Sequence, residues 1–204
     1  MTRLTWAALA AAVPVALIAL TDAVTHGLTG EFSVFADGGP AWAFYVAGVT
    51  HGLLYALLTA VLVVNGSRID AGRGAVRWVR RVLIALLALL AVSFLLDTAI
   101  RFDDAPAWLL GLTTAGFVVG FPVSTVLGIL LLRRPEMRLP AVLLTATGGG
   151  LALTLLLGAV GSDFAHPGYA EVLQFFGVAL LGRAASPARE ASPSSARYSF
   201  VTGE

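Results

Sequence analysis

The chain has 204 residues, 58% of them hydrophobic and 12% charged, with a mean hydropathy of +0.87. A soluble domain carries about 25% charged residues, so this chain has too little charge to cover a water-facing surface, and an ordinary soluble globule is excluded. The net charge is +1, all 13 cations are Arg and Cys is absent, which leaves no bulk attraction for nucleic acid, no lysine for a Schiff base, and no disulfide, thiolate nucleophile or iron–sulfur cluster.

Six apolar runs are long enough to cross about 30 Å of hydrocarbon; they cover 4–22, 41–65, 80–101, 107–132, 139–161 and 168–183. The expected fold class is all-α: a polytopic integral membrane protein of six transmembrane helices arranged as three helical hairpins, one domain over 1–183. The first run follows Arg3 as a signal peptide would, but it is longer than the usual apolar region of one, and Thr21-Asp22-Ala23 makes a poor cleavage site, so it is expected to be retained. The sixth run is the weakest, being short and carrying Glu171 and Gln174 in its first two turns. The tail 184–204, rich in Ala, Ser and Pro, is expected to be disordered.

Arg near span ends is held on the cytoplasmic side. Arg3, the loop group Arg68, Arg73, Arg77, Arg80 and Arg81, the group Arg133, Arg134 and Arg138, and the final group Arg183, Arg189 and Arg197 fall on one side of a six-span chain. Only Arg101 falls on the other side, with Asp22, Glu31, Asp37, Asp97, Asp103, Asp104, Asp163 and Glu171. Both termini are thus expected in the cytoplasm, with the chain multi-pass in a cell membrane, a bacterial or archaeal inner membrane. Trp42 and Trp108 open spans on the acidic side and Trp6 and Trp78 lie near the Arg-rich side, as an interfacial belt requires.

The odd spans end in an Asp followed by a basic or titratable residue: Asp22 and His26, Asp97 and Arg101, Asp163 and His166. The even spans open on Pro, a small residue and an aromatic: Pro40-Ala41-Trp42, Pro106-Ala107-Trp108 and Pro167-Gly168-Tyr169. Two accounts stay open, a recurrent grammar of helix ends, since Pro suits a first helical turn, and an ancestral triplication of one hairpin. Either way the titratable groups gather on the acidic side.

His51 lies nine residues past Trp42, about 14 Å along a helix and so near the bilayer midplane. It shares a stripe with Tyr55 and Thr59, flanked by Gly48 and Gly52, so that face should look into the bundle. It is read either as a neutral histidine donating one hydrogen bond to a neighbouring helix or as a residue of a substrate or proton pathway. The candidates for that pathway are His51, Tyr55, Asp97, Arg101, Glu171 and Gln174. Asp97 and Arg101, four apart, are read as a rim ion pair, with an Asp97–His51 couple as the alternative. His26, His51 and His166 are too dispersed in depth for a metal site, and neither a metal nor a cofactor is expected.

In span four Gly116, Gly120, Ser124 and Gly128 recur every four residues, a ridge that lets another helix approach closely, from inside the bundle or from a homo-oligomer or protein partner. Span five carries Gly148-Gly149-Gly150 near its centre, and Pro14 and Pro122 fall inside spans one and four. Broken helices of this kind build transporter sites and also occur in merely packed bundles. No hydrolase, nucleotide-binding or metal motif is present. The function expected first is a bundle that binds a lipid or protein partner without catalysis, besides the bilayer itself. A small-solute or proton-coupled transporter using His51 is the alternative, and a membrane enzyme or redox protein the third.

Overall fold

A computed structural model describes residues 1–36, 39–100 and 106–183. Arg101, Asp37, Asp103, Asp104 and the tail 184–204 lie outside them, so the Asp97–Arg101 pairing and the state of the tail fall there too. The described chain is helical throughout, with helices α1 (Arg3–Thr29), α2 (Ala41–Val64), α3 (Gly66–Asp70), α4 (Gly74–Ile100), α5 (Ala107–Leu131), α6 (Arg138–Ala159) and α7 (Gly168–Leu180), and a 3₁₀ turn over Pro135–Met137. Five of these helices are long and apolar enough to cross a membrane, which makes this a multi-pass membrane bundle. Helix α1 continues through Pro14, α5 through Pro122 and α6 through its three glycines, so the glycine break expected in span five does not occur.

Each long helix packs on its chain neighbours, and α7 closes the ring against α1 while also touching α2 and α5. Large side chains such as Leu17, Leu28, Val64, Leu155 and Val160 point outward, and all four Trp are exposed. Apolar residues on the outside are what hydrocarbon solvent demands, with the aromatic rings anchoring the two interfaces.

Small residues draw the helices together. Ala12, Ala16, Ala19 and Ala23 form the buried face of α1. A Cβ at Gly168 would lie 2.8 Å from the Ala19 carbonyl oxygen, so only glycine lets the head of α7 meet α1 there. All four members of the α5 ridge are buried inside the bundle: Gly116 faces Leu90 of α4, Gly120 faces Gln174 of α7, and a Cβ at Gly128 would meet the Thr145 backbone nitrogen of α6 at 2.5 Å. Ser124 takes a hydrogen bond from Gln174. The ridge is spent on α4, α6 and α7.

The sixth span is where the structure departs most from the sequence reading. Helix α7 has 13 residues, about 20 Å at 1.5 Å per residue, too short to cross about 30 Å of hydrocarbon. The missing length is supplied by 160–167, which folds back down from the end of α6. Thr154, inside α6, donates to the His166 carbonyl at 2.8 Å, and Gly168 starts α7 beside Ala19, well inside α1. Irregular backbone at membrane depth must find partners within the protein, and this segment does: Ser162 N–H donates to Leu157, Ala165 N–H to Ser162 and His26 to the Asp163 carbonyl. Hydropathy counts apolar residues and is blind to this descent.

Candidate functional site

The half of the bundle at the Arg-rich end is dry. Leu58, Leu62, Leu83, Leu87, Leu127, Leu131, Leu144 and Val178 are fully buried there. Helices α2, α5 and α7 all end at this side, so their unpaired C-terminal carbonyls converge on it, and Arg side chains cover them. Arg80 donates to Leu62, Arg73 to Leu130, and Arg68 to Leu181 and Arg183. Arg134 holds the Arg68 and Ile69 carbonyls and pairs with Glu136. Arg80 also grips Asp70 bidentately at 2.7 and 2.8 Å, both buried, and the absent side chain of Gly66 leaves room for its guanidinium. Arg80 beside Asp70 holds that carboxyl below its ordinary value of 3.8. The sequence reading placed Arg80 among loop cations; the clue to its burial was Asp70, a lone acid in an Arg-rich loop.

At the acidic end the polar groups sit deeper. Asp22 of α1 accepts from Ser33 N–H at 2.8 Å and from His166 Nε2 at 3.1 Å. The carboxylate therefore pairs across hairpins rather than with His26 on its own helix. His166 Nδ1 accepts from Gly168 N–H at 3.1 Å, so this ring carries its single proton on Nε2 and is neutral. His26 stacks on Phe32 with centroids 4.4 Å apart. No group of three His, Cys, Asp or Glu side chains able to hold a metal occurs among the described residues.

Just below lies an aromatic layer drawn from four helices. His51 of α2 stacks on Phe94 of α4 at 5.1 Å and 14°, and Tyr55 packs on Phe94, Phe117 of α5 and Phe175 of α7 at 5.7, 6.0 and 5.6 Å. His51 Nδ1 donates to the Ala47 carbonyl at 2.7 Å, so its hydrogen bond goes to its own helix, not to a neighbouring one. Glu171 and Gln174 of α7 are both buried. Gln174 spends its amide nitrogen on the Gly120 carbonyl at 3.2 Å and Ser124 Oγ at 2.7 Å. At 100° per residue, Glu171 projects between the directions of Gln174 and Phe175, toward the bundle axis. It lies within electrostatic reach of Tyr55 and Asp22. The Tyr55 hydroxyl is buried without a hydrogen-bond partner.

The helices part toward the acidic end between α2, α4 and α5. The result is a half-open cavity of about 280 Å³, walled by Phe44, Gly48, Ser93, Asp97, Leu109 and Thr113 among others, with Phe94 and Phe117 also in its wall. Phe94 and Phe117 thus belong both to the cavity and to the layer holding His51 and Tyr55.

Of the six pathway candidates, the structure gathers His51, Tyr55, Glu171 and Gln174 around one layer and places Asp97 in the cavity above. Sequence reasoning missed Phe94, Phe117 and Phe175. Their signal was aromatic spacing, since Phe175 lies one turn from Glu171 as Tyr55 does from His51. Compared with family models, curated proteins and solved structures, the chain matches none.

Proposed function

We propose that the chain is a non-catalytic, ligand-binding bundle of the cell membrane, whose occupant is a lipid or lipid-like amphiphile entering from the acidic, extracytoplasmic end. The observation that carries this reading is the cavity between α2, α4 and α5. Its aromatic and aliphatic walls carry a few hydroxyls and one carboxylate, the mixture typical of ligand sites, and its volume of about 280 Å³ falls just below the roughly 300–1,000 Å³ that drug-sized ligand sites span, which suits a short-chain occupant. The chemistry for catalysis does not converge: the hydrogen bond of His51 goes to Ala47, and none joins it to Glu171.

The test is native mass spectrometry and thermal denaturation of the detergent-solubilised protein with short-chain amphiphiles, for wild type and Thr113→Trp, which fills the cavity from α5. Stabilisation of the wild type alone is the expected result. Equal stabilisation of a folded Thr113→Trp variant would sink the proposal. A second reading, a proton-coupled carrier, draws on the buried Glu171 beside the unpartnered Tyr55 hydroxyl. It requires that reconstituted protein dissipate a pH gradient across vesicles and that Glu171→Gln abolish the flux.

A further inference from the structure

The Arg-rich end carries more positive charge than its own carboxylates neutralise. Among the described residues those carboxylates are Asp70 and Glu136. Asp70 is held by Arg80 and, at 3.5 Å, by Arg77, and Glu136 is held by Arg134. No ion pair among the described residues reaches Arg73 or Arg133. Arg73 stands just ahead of α4, half-buried, and reaches across to α5, where its Nη1 donates to the Leu130 carbonyl at 3.0 Å. Its Nη2 is buried without a partner. Arg133 follows the end of α5 and is exposed.

Next to this crossing the same two helices leave a groove on the outer wall of the bundle. It holds about 250 Å³ and is walled by Trp78, Val79 and Val82 of α4 and by Pro122, Val123 and Val126 of α5. Val79 and Val123 pack back against the core, while Trp78 and Val126 are 71% and 45% exposed, so the groove has a fixed floor and an open outer side. No charged side chain lines it. Helix α4 runs away from the Arg-rich end and α5 runs toward it. Leu130 lies one turn beyond Val126, so Arg73 spans the seam at the Arg-rich mouth of the groove. Arg133, seven residues or about two turns beyond Val126, leaves α5 on the same side.

Trp78 sets the depth of the groove. An indole settles at the boundary between hydrocarbon and head groups, its ring against apolar chain and its N–H toward a polar partner. From that level Val82 lies one turn, about 6 Å, further into the hydrocarbon. The groove thus starts at head-group depth beside two arginines and continues as apolar surface. A neutral lipid fits the apolar walls and leaves the cations unmatched, and a free anion matches the cations and leaves the walls bare. An anionic phospholipid matches both, because guanidinium groups form charge-assisted hydrogen bonds with phosphate oxygens and valine walls suit an acyl chain.

We infer that the groove between α4 and α5, with Arg73 and Arg133 at its mouth, is a binding site for an anionic phospholipid of the leaflet on the Arg-rich side. The phosphate meets the two guanidinium groups, and one acyl chain lies against Val79, Val82, Val123 and Val126. The site is at the opposite end of the bundle from the cavity between α2, α4 and α5 and does not depend on what that cavity holds.

The experiment is native mass spectrometry of the detergent-solubilised full chain with an equimolar mixture of dioleoyl phosphatidylglycerol and dioleoyl phosphatidylcholine, with thermal shift in sodium phosphate as a separate arm. The expected result is that wild type retains one phosphatidylglycerol with at least fivefold preference over phosphatidylcholine. Arg133→Gln and Arg73→Gln should each lower that preference at least threefold, and Val126→Trp, which fills the groove, should lower retention of the anionic lipid by a similar factor. Arg3→Gln removes the same charge from α1, which packs on α2 and α7, and should leave the preference as it is. Equal retention of the two lipids by wild type would overturn the inference. A preference lost as fully in Arg3→Gln as in Arg133→Gln would replace the site with bulk charge. Retention unchanged in Val126→Trp would remove the acyl chain from the groove, and inorganic phosphate stabilising wild type as strongly as the lipid would replace the lipid with a free anion. Arg133 and Val126 are exposed and Arg133 holds no side-chain contact that folding needs, so these two variants decide the matter even where Arg73→Gln, which loses the Leu130 contact, does not fold.

Discussion

The two ends of the bundle solve the same problem, polar groups at the margin of hydrocarbon, in opposite ways. At the Arg-rich end Arg68, Arg73, Arg80 and Arg134 are bound to backbone carbonyls, Arg80 and Arg134 also to carboxylates, over a close-packed leucine core. At the acidic end a helix stops short, irregular chain descends into the bundle, the Tyr55 hydroxyl is buried without a partner, and a half-open cavity lies between α2, α4 and α5. Unsatisfied buried groups cost stability and occur at both ends, Arg68 Nε and Arg73 Nη2 at the first and the Tyr55 hydroxyl at the second, so the contrast lies in packing: leucines fill the first end and a cavity interrupts the second. That division can be broken at either end.

The largest effect is expected from Arg80→Ala. It leaves the buried Asp70 carboxylate with only the half-exposed Arg77 at 3.5 Å, and since removing the sole partner of a buried charge costs about 3–5 kcal/mol, the loss of thermal stability in detergent should approach the lower end of that range. The double variant Arg80→Met with Asp70→Asn should recover most of that loss; failure to recover would show that the Leu62 carbonyl contact matters more than the ion pair. Because Arg80 lowers the pKa of Asp70, the stabilisation of the wild type is present above the unfolded carboxylate pKa of about 4 and is lost as pH falls through the lower folded value. The double variant should lack this acid limb.

Next in size is Gly128→Ala. Its new methyl would sit 2.5 Å from the Thr145 nitrogen and 2.8 Å from the Ala141 oxygen, both backbone atoms that cannot step aside, so α5 and α6 must separate at a cost of about 1–3 kcal/mol. An unchanged melting temperature would mean that this crossing is looser than the close contact implies.

At the acidic end the sign reverses. Tyr55→Phe removes a buried hydroxyl without a partner and should raise stability by about 1 kcal/mol. A destabilised variant would show that the hydroxyl is satisfied in the unliganded protein. Much of this contrast was already legible. The Arg distribution separated the two ends, and His51, Tyr55, Glu171 and Gln174 were recognisable as polar residues in apolar runs, because the cost of burying them is a local property. Their gathering into one layer was not legible, since it depends on how far α7 descends.

The smallest expected effect concerns His166. Its Nδ1 accepts from Gly168 N–H and its Nε2 meets Asp22, so His166→Ala should quicken hydrogen exchange at Gly168 with a loss of about 1 kcal/mol; unchanged exchange would show that another group holds the head of α7.

Hydropathy, chain length and charge placement sufficed for what each segment determines alone: helices at membrane depth, an Arg-rich and an acidic end, interfacial Trp, and a small-residue ridge on α5. The free energy of moving a helical segment into hydrocarbon depends on its own side chains, so these features need no knowledge of the rest of the chain. Tertiary structure alone decided that α7 is half-length, that Asp22 pairs with His166, that Arg80 closes on Asp70, that the α5 ridge is spent inside, and that rings from α2, α4, α5 and α7 meet in one layer. Each of these depends on which surfaces meet and at what depth, and the same short-range pattern fits several such meetings. Close packing around particular glycines and alanines selects one of them.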